Sequence, residues 1–190
     1  MGIRQEHRAR TMQTIQRATL DLIEQRGLEA TTVGQIAERA GISERTFFRY
    51  CSSKEAAVLP GEQGVRDAML AANFESGTLR EVIAQLLEVC RRCFALEVEH
   101  NEFRRISRLL ISEPELLSSV AQQERELVEV LRNKLESQLG MQRMQALLAA
   151  EIATCSWRVS WQSFAKLEAD GSAGDPMAVF EQVVAELRAI

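Results

Sequence analysis

Apolar residues recur at steps of three and four along almost the whole chain, and no segment sustains the alternation of a half-buried strand between turn dipeptides. That spacing puts apolar side chains on one face of a helix, so the chain must pack helices on helices. The predicted fold class is all-α. From about Gln5 to Arg26 a first helix shows Ile15, Ala18, Leu22 and Ile23 on one face, and Gly27 stops it. Two short helices follow, Val33 to Ala40 and Glu44 to about Tyr50. Another begins at Lys54, is predicted to kink at Pro60-Gly61, and resumes through Val65, Met69 and Leu70.

Longer helices occupy the remainder. Thr78 caps one from Leu79 to about Glu99, with Val82, Ile83, Leu86, Leu87, Cys90 and Phe94 inward. Residues 102–112 use Phe103, Ile106, Leu109 and Leu110, and Pro114 opens the next, which runs toward Leu139 through Leu117, Val120, Leu127, Val130, Leu131 and Leu135. A helix from about Gln142 to Ala169 carries Leu147, Ala150, Trp157, Trp161 and Phe164, and the last begins at Pro176.

The most specific local signal lies between Thr31 and Lys54. Thr32 and Gln35 have the spacing of a capping box, Gly41 ends the first short helix, and Ser43 caps the second. Two short helices joined by a three-residue turn containing glycine are a helix-turn-helix. Residues 1–53 are therefore read as a three-helix DNA-binding domain and 54–190 as a larger helical domain. In such a motif the second helix enters the major groove by its N-terminal residues. Arg45 would pair with guanine, Glu44 would accept from a cytosine amino group, and Thr46 would meet a thymine methyl or a phosphate. Thr32, Gln35, Ser43, Phe48, Arg49 and Tyr50 complete the candidate interface, and the Lys54 amide and ammonium suit a phosphate. Ile42 and Phe47 should lock the reading helix onto Ile36 and Leu22.

The formal net charge of −4 argues at first against nucleic acid. Divided at Lys54, it becomes +3 for residues 1–54, with nine basic and six acidic residues, and −7 for the rest. A basic head on an acidic body assigns the DNA to one end.

Thr31-Thr32-Val33, Ile36-Ala37, Ala40-Gly41-Ile42-Ser43, Thr46-Phe47-Phe48-Arg49-Tyr50 and Ser53-Lys54-Glu55 resemble the TetR family of transcriptional regulators. The resemblance covers roughly residues 10–58. It implies a homodimer on a palindromic operator of double-stranded DNA, with a small-molecule pocket and the dimer interface in the C-terminal domain. The family usually has Tyr where Phe48 stands, so only packing carries over there; Tyr50, at a position often held by His, could restore a phosphate contact. Cys51 replaces a common Phe, which is expected to weaken a core contact and leave a thiol close to the DNA.

A ligand domain needs a largely apolar cavity between helices. Candidate lining residues are Met69, Phe74, Leu86, Cys90, Phe94, Phe103, Leu110, Trp157, Trp161 and Phe164, all of which equally suit an ordinary core. Arg158 selects an acidic ligand if it faces inward and is a solvated charge if it does not. Residues 59–62 and 108–116 are similar to a group of TetR-type regulators, some of which respond to acyl-coenzyme A thioesters, and this resemblance implies a hydrophobic or acyl ligand. By the same resemblance the last two helices pair with their copies in a four-helix bundle.

Cys90-Arg-Arg-Cys93 offers a redox-responsive alternative, because neighbouring arginines lower a thiol pKa. A zinc site would need a second pair, which His7, His100 and Cys155 do not supply, so no metal or cofactor is expected. With no glycine-rich phosphate loop and no nucleophile–base pair, an enzyme is not expected either. A helical dimerisation module that never touches DNA is the third reading. No apolar run is long enough to span a membrane, MGIRQEHRAR is too polar for a secretory signal, and Glu6 stands where a lipidation motif wants Ser or Thr. A cytoplasmic protein with reduced thiols is expected.

Overall fold

The computed structural model describes residues 3–99, 102–172 and 174–189, and among these it contains ten helices and no strand. His100, weighed above as a metal ligand, lies outside the described residues. The head consists of α1 (Ile3–Arg26), α2 (Val33–Arg39) and α3 (Glu44–Tyr50). After it come α4 (Lys54–Val58), α5 (Pro60–Ala71), α6 (Leu79–Val98), α7 (Phe103–Ser112), α8 (Pro114–Leu139), α9 (Arg143–Ala169) and α10 (Pro176–Ala189). Among the described residues no helix is long and apolar enough to cross a membrane.

The caps read from the sequence set the helix ends. Gly27 adopts φ +82°, a left-handed conformation that favours glycine, and its N–H donates to the Ile23 carbonyl at 2.7 Å. Thr32 and Gln35 form both halves of the capping box, and the Ser43 hydroxyl accepts from the Thr46 N–H at 3.1 Å. Pro60 separates α4 from α5 rather than kinking one helix. Leu59, at φ −118° and ψ 53°, leaves helical geometry, and the proline, which has no N–H to offer the preceding turn, starts a new helix.

Two cores result. The head core gathers Ile15, Ala18 and Leu22 of α1 around Ile36, Phe47, Cys51 and Ala57, with Ile42 packed against it. Leu20 and Ile23 of the same α1 join the body core, so the single predicted face of α1 is in fact two. On α8 the buried apolar side chains are Leu116, Val128, Leu131 and Leu135, whereas Leu117 is exposed. The body is organised on α9, which packs on α6, α7, α8 and α10. Its first half is lined inside by Ala146, Ala149, Ala150 and Ala153, small residues that admit neighbouring backbones, and its second half by Trp157, Trp161 and Phe164.

Candidate nucleic-acid interface and ligand cavity

The reading helix α3 is anchored by one residue and exposed by its neighbours. Phe47 is fully buried in the head core, while Glu44, Arg45, Phe48 and Arg49 are exposed. Arg45, Phe48 and Arg49 stand at i, i+3 and i+4, so they share one outward face. Among the described residues Arg45 makes no hydrogen bond or ion pair, which leaves its guanidinium available. Phe48 is 56% exposed and keeps only an edge contact with Phe47, at 5.5 Å between ring centroids, so little of the expected packing exists. Tyr50 lies between the guanidiniums of Arg8 and Arg49, 5.7 and 5.2 Å from its ring centroid.

Other predicted interface residues are occupied within the protein. Thr32 and Gln35 satisfy each other's backbone, and Ser43 and Thr46 share a hydrogen bond of 2.9 Å between their hydroxyls. Glu44 folds back over α2: a Cβ placed on Gly34 would lie 2.9 Å from its Oε1. The Lys54 ammonium donates to the carbonyls of Leu28 at 2.6 Å and Thr31 at 3.1 Å and so ties the α1–α2 turn to α4, which leaves one of its three N–H donors for a phosphate. The Cys51 thiol points inward against Met12 Sδ at 3.6 Å rather than toward DNA, and burial pushes it up to about 11.

A cavity of about 590 Å³ opens between the head and the body. Of the candidate pocket residues, Phe103, Leu110, Trp157, Arg158 and Trp161 line it. Met69, Phe74, Leu86, Cys90, Phe94 and Phe164 do not; they are buried behind it as core. Arg158 reaches Glu124 of α8 at 3.0 Å, so it is neither an unpaired anchor nor merely solvated. The residues that sequence reasoning missed are the wall contributed by α1 (Arg8, Met12, Gln13 and Gln16) and the carboxyl groups of Glu97 and Glu124. Burial pushes Glu97 up to about 8, although the Trp161 indole hydrogen-bonds to it, and pushes Glu124 up to about 7.

Beside the cavity, α7 grips α1. Arg105, with 23% of its side chain exposed, donates to Glu24 at 2.7 and 2.8 Å and to Asp21 at 2.7 Å, while Arg39 of α2 holds the other Asp21 oxygen at 3.0 Å. Partial burial would raise the Asp21 carboxyl, but the hydrogen bonds from Arg105 and Arg39 outweigh it and hold the group below its ordinary range. Gln16 donates to the Val58 carbonyl at 3.1 Å, and Glu113 accepts from the Leu28 N–H at 3.3 Å. Replacing Arg105 by alanine is expected to lower stability by about 1–2 kcal/mol and to speed amide hydrogen exchange across α1. Arg92→Ala, which removes an exposed ion pair with Glu88 and a long hydrogen bond to its carbonyl, should stay within about 0.5 kcal/mol. Equal exchange in both variants would show that the grip does not order the head.

A small helical head that exposes a capped reading helix, joined to a helical body with an apolar cavity, defines a helix-turn-helix protein of the two-domain regulator class. Residues 15–59 match the family model described as bacterial regulatory proteins, tetR family. Over 71 residues the chain is 42% identical to the HTH-type transcriptional regulator TcmR of Streptomyces glaucescens, a match covering 37% of this chain and 31% of that protein. The matched stretch thus spans about a third of its curated relative. Residues 15–59 thus form an N-terminal domain similar to that of the TetR family. Its whole fold is shared with the transcriptional regulator FadR from Bacillus subtilis, solved in complex with stearoyl-CoA (TM-score 0.53, 17% identity, 91% of this chain and 95% of that one). The fatty acid degradation regulator FadR from Bacillus halodurans shares it too (TM-score 0.50, 16% identity, 91% and 92%).

Proposed function

We propose that the chain is a transcriptional repressor that binds a palindromic operator as a homodimer and is released when a small, largely apolar molecule enters the cavity. One observation carries this reading: α1 supplies the head core that seats α3 and, through Arg8, Met12, Gln13 and Gln16, also walls the cavity. A ligand there touches the helix that positions the reading head. The same α7 that lines the cavity with Phe103, Ile106 and Leu110 grips α1 through Arg105. A ligand that prefers one placement of α7 therefore biases the separation of the two heads, and the population shifts away from the operator-matched state. Leu59, where α4 and α5 part at Pro60, gives the body a second joint to the head. Pairing of α9 and α10 with their copies would set two α3 helices one helical turn of DNA apart.

The redox alternative loses its chemical basis. Burial pushes the Cys90 thiol far above its ordinary value and Cys93 up to about 11, the reverse of what a sensor thiolate needs. The arginines between them are turned to Glu88. For an acyl ligand the cavity supplies apolar surface, with the guanidiniums of Arg8 and Arg158 set among carboxyl groups.

Selection of bound sequences from random duplex DNA tests the proposal and should return a palindrome whose affinity falls steeply with salt. On that site Arg45→Ala is expected to cost about 1–3 kcal/mol, roughly 5–150-fold in Kd, and to relax specificity at one base pair. An unchanged Kd removes Arg45 from the interface. Recovery of no site, with no salt-dependent binding, favours the dimerisation module instead.

A further inference from the structure

The cavity is chemically lopsided. Its walls are apolar and aromatic, yet Asp67, Glu97, Glu102 and Glu124 face it against two guanidiniums, Arg8 and Arg158. These carboxyl groups are not equivalent. Glu102 is neutralised by Arg17 at 2.7 Å. Glu124 meets Arg158 through Oε2 alone, and its Oε1 is buried with no hydrogen-bond partner. Glu97 has a neutral neighbour, the Trp161 indole. Among the described residues Glu97 of α6 thus has only the indole beside it, and Glu124 of α8 keeps one oxygen unpartnered, in an aromatic chamber where such groups are costly unless they are neutral or meet a cation. Their placement is built into the helices: Glu97 follows the buried Cys90 and Phe94, and Glu124 precedes the buried Val128 and Leu131, at helical spacing.

We infer that the cavity takes a hydrophobic monocation, an amine or quaternary ammonium on an apolar body, with its charge met by Glu97 and Glu124 and by the faces of Trp157 and Trp161. This rests on the reading of the cavity as the effector site. Tryptophan is the strongest aromatic partner for a cation, and an anionic or phosphate-bearing ligand would put like charge beside the carboxylates. Burial pushes Glu97 up to about 8 and Glu124 up to about 7, the latter against the pull of Arg158, so a cation that favours their ionised forms should displace protons. Cys93 is the other titratable group on the wall, beside the acids and arginines already named.

Trp157 and Trp161 are the two tryptophans of the chain and both line the cavity, so their fluorescence reads binding without DNA. The full chain is titrated with decyltrimethylammonium, decanol and decanoate, each below its micelle-forming concentration. The ammonium should bind at least about tenfold more tightly than decanoate. Its affinity should rise between about pH 6 and about pH 9 as the two carboxyls ionise, since the quaternary ammonium itself does not titrate. In the Glu97→Gln, Glu124→Gln double variant, with helical circular dichroism retained, the preference should fall below about threefold. If that variant fails to fold, Glu97→Gln alone must lower the ratio. Decanoate binding as tightly as the ammonium, or a preference that survives the substitutions, overturns the inference, and so does the absence of a response to all three probes. Failure of the operator reading appears separately, in the DNA titrations.

Discussion

Replacing Phe47 by alanine is expected to abolish specific operator binding while leaving the body folded. Phe47 is fully buried in a head core of seven buried side chains, two of them alanines, so few neighbours can move to close the void. Truncating a buried phenylalanine costs about 3–5 kcal/mol. Here the loss falls on helices that cannot stand alone: α2 and α3 have seven residues each, well below the length at which an isolated helix is stable in water. Their order comes from packing on α1, and Phe47 is the side chain of α3 that does the packing. Hydrogen exchange should show loss of protection in α2 and α3, and gel-shift titration should show loss of the specific complex. The fluorescence of Trp157 and Trp161, both in the body, should hardly change. Phe48→Ala, one residue along but more than half exposed, should alter stability by no more than about 0.5 kcal/mol. A Phe47→Ala protein with unaltered operator affinity would show that α3 is seated by something other than its core residue.

The head was legible because its signals are local. Thr32 with Gln35, Gly41 and Ser43 each act on a backbone group within a turn of themselves, so their spacing alone places the helix ends, and the structure has the capping bonds there. What stayed hidden depends on backbone groups or on distant partners. Lys54 chooses the carbonyls of Leu28 and Thr31, which no side chain advertises. The grip of Arg105 on Asp21 and Glu24 spans more than eighty residues of sequence. The cavity shows a third kind of difficulty. Periodicity separates inward from outward positions but cannot separate packed from empty space, so Phe94 and Phe103 looked alike although one is core and the other is wall. The sequence does carry one signal for it: Glu97, after Cys90 and Phe94, and Glu124, before Val128 and Leu131, stand in line with buried apolar positions. A charged residue in such a slot costs too much to be a neutral choice, and it points to a lined cavity.

Phe94 carries the second large effect. Its ring is fully buried and meets Phe103, Trp157 and Trp161 edge-on at 5.4, 5.5 and 5.9 Å between centroids, with Phe180 of α10 tilted at 5.2 Å. Three of these four partners are cavity wall on their other side. Phe94 is therefore the backing that holds Phe103 against Trp161, stacked at 4.1 Å, and it links α6 to α7, α9 and α10. Phe94→Ala is expected to cost about 3–5 kcal/mol, and for a chain of this length to lower Tm by roughly 6–20 °C. Edge-to-face pairs add about 0.5–1.5 kcal/mol each beyond area, but they share one ring, and their sum would overcount. Phe94→Leu, which keeps most of the volume without the aromatic edges, should cost less than half as much. Because the lost ring lies behind the wall, both tryptophans gain freedom, and their emission should shift to the red in the folded variant at low temperature. Ligand selectivity should relax before ligand binding is lost, since the carboxyl groups of Glu97 and Glu124 remain while the aromatic surface they work beside is no longer fixed. An unchanged Tm together with an unchanged emission spectrum would mean that the wall is held from the solvent side, by α7 on α1, and not by the core.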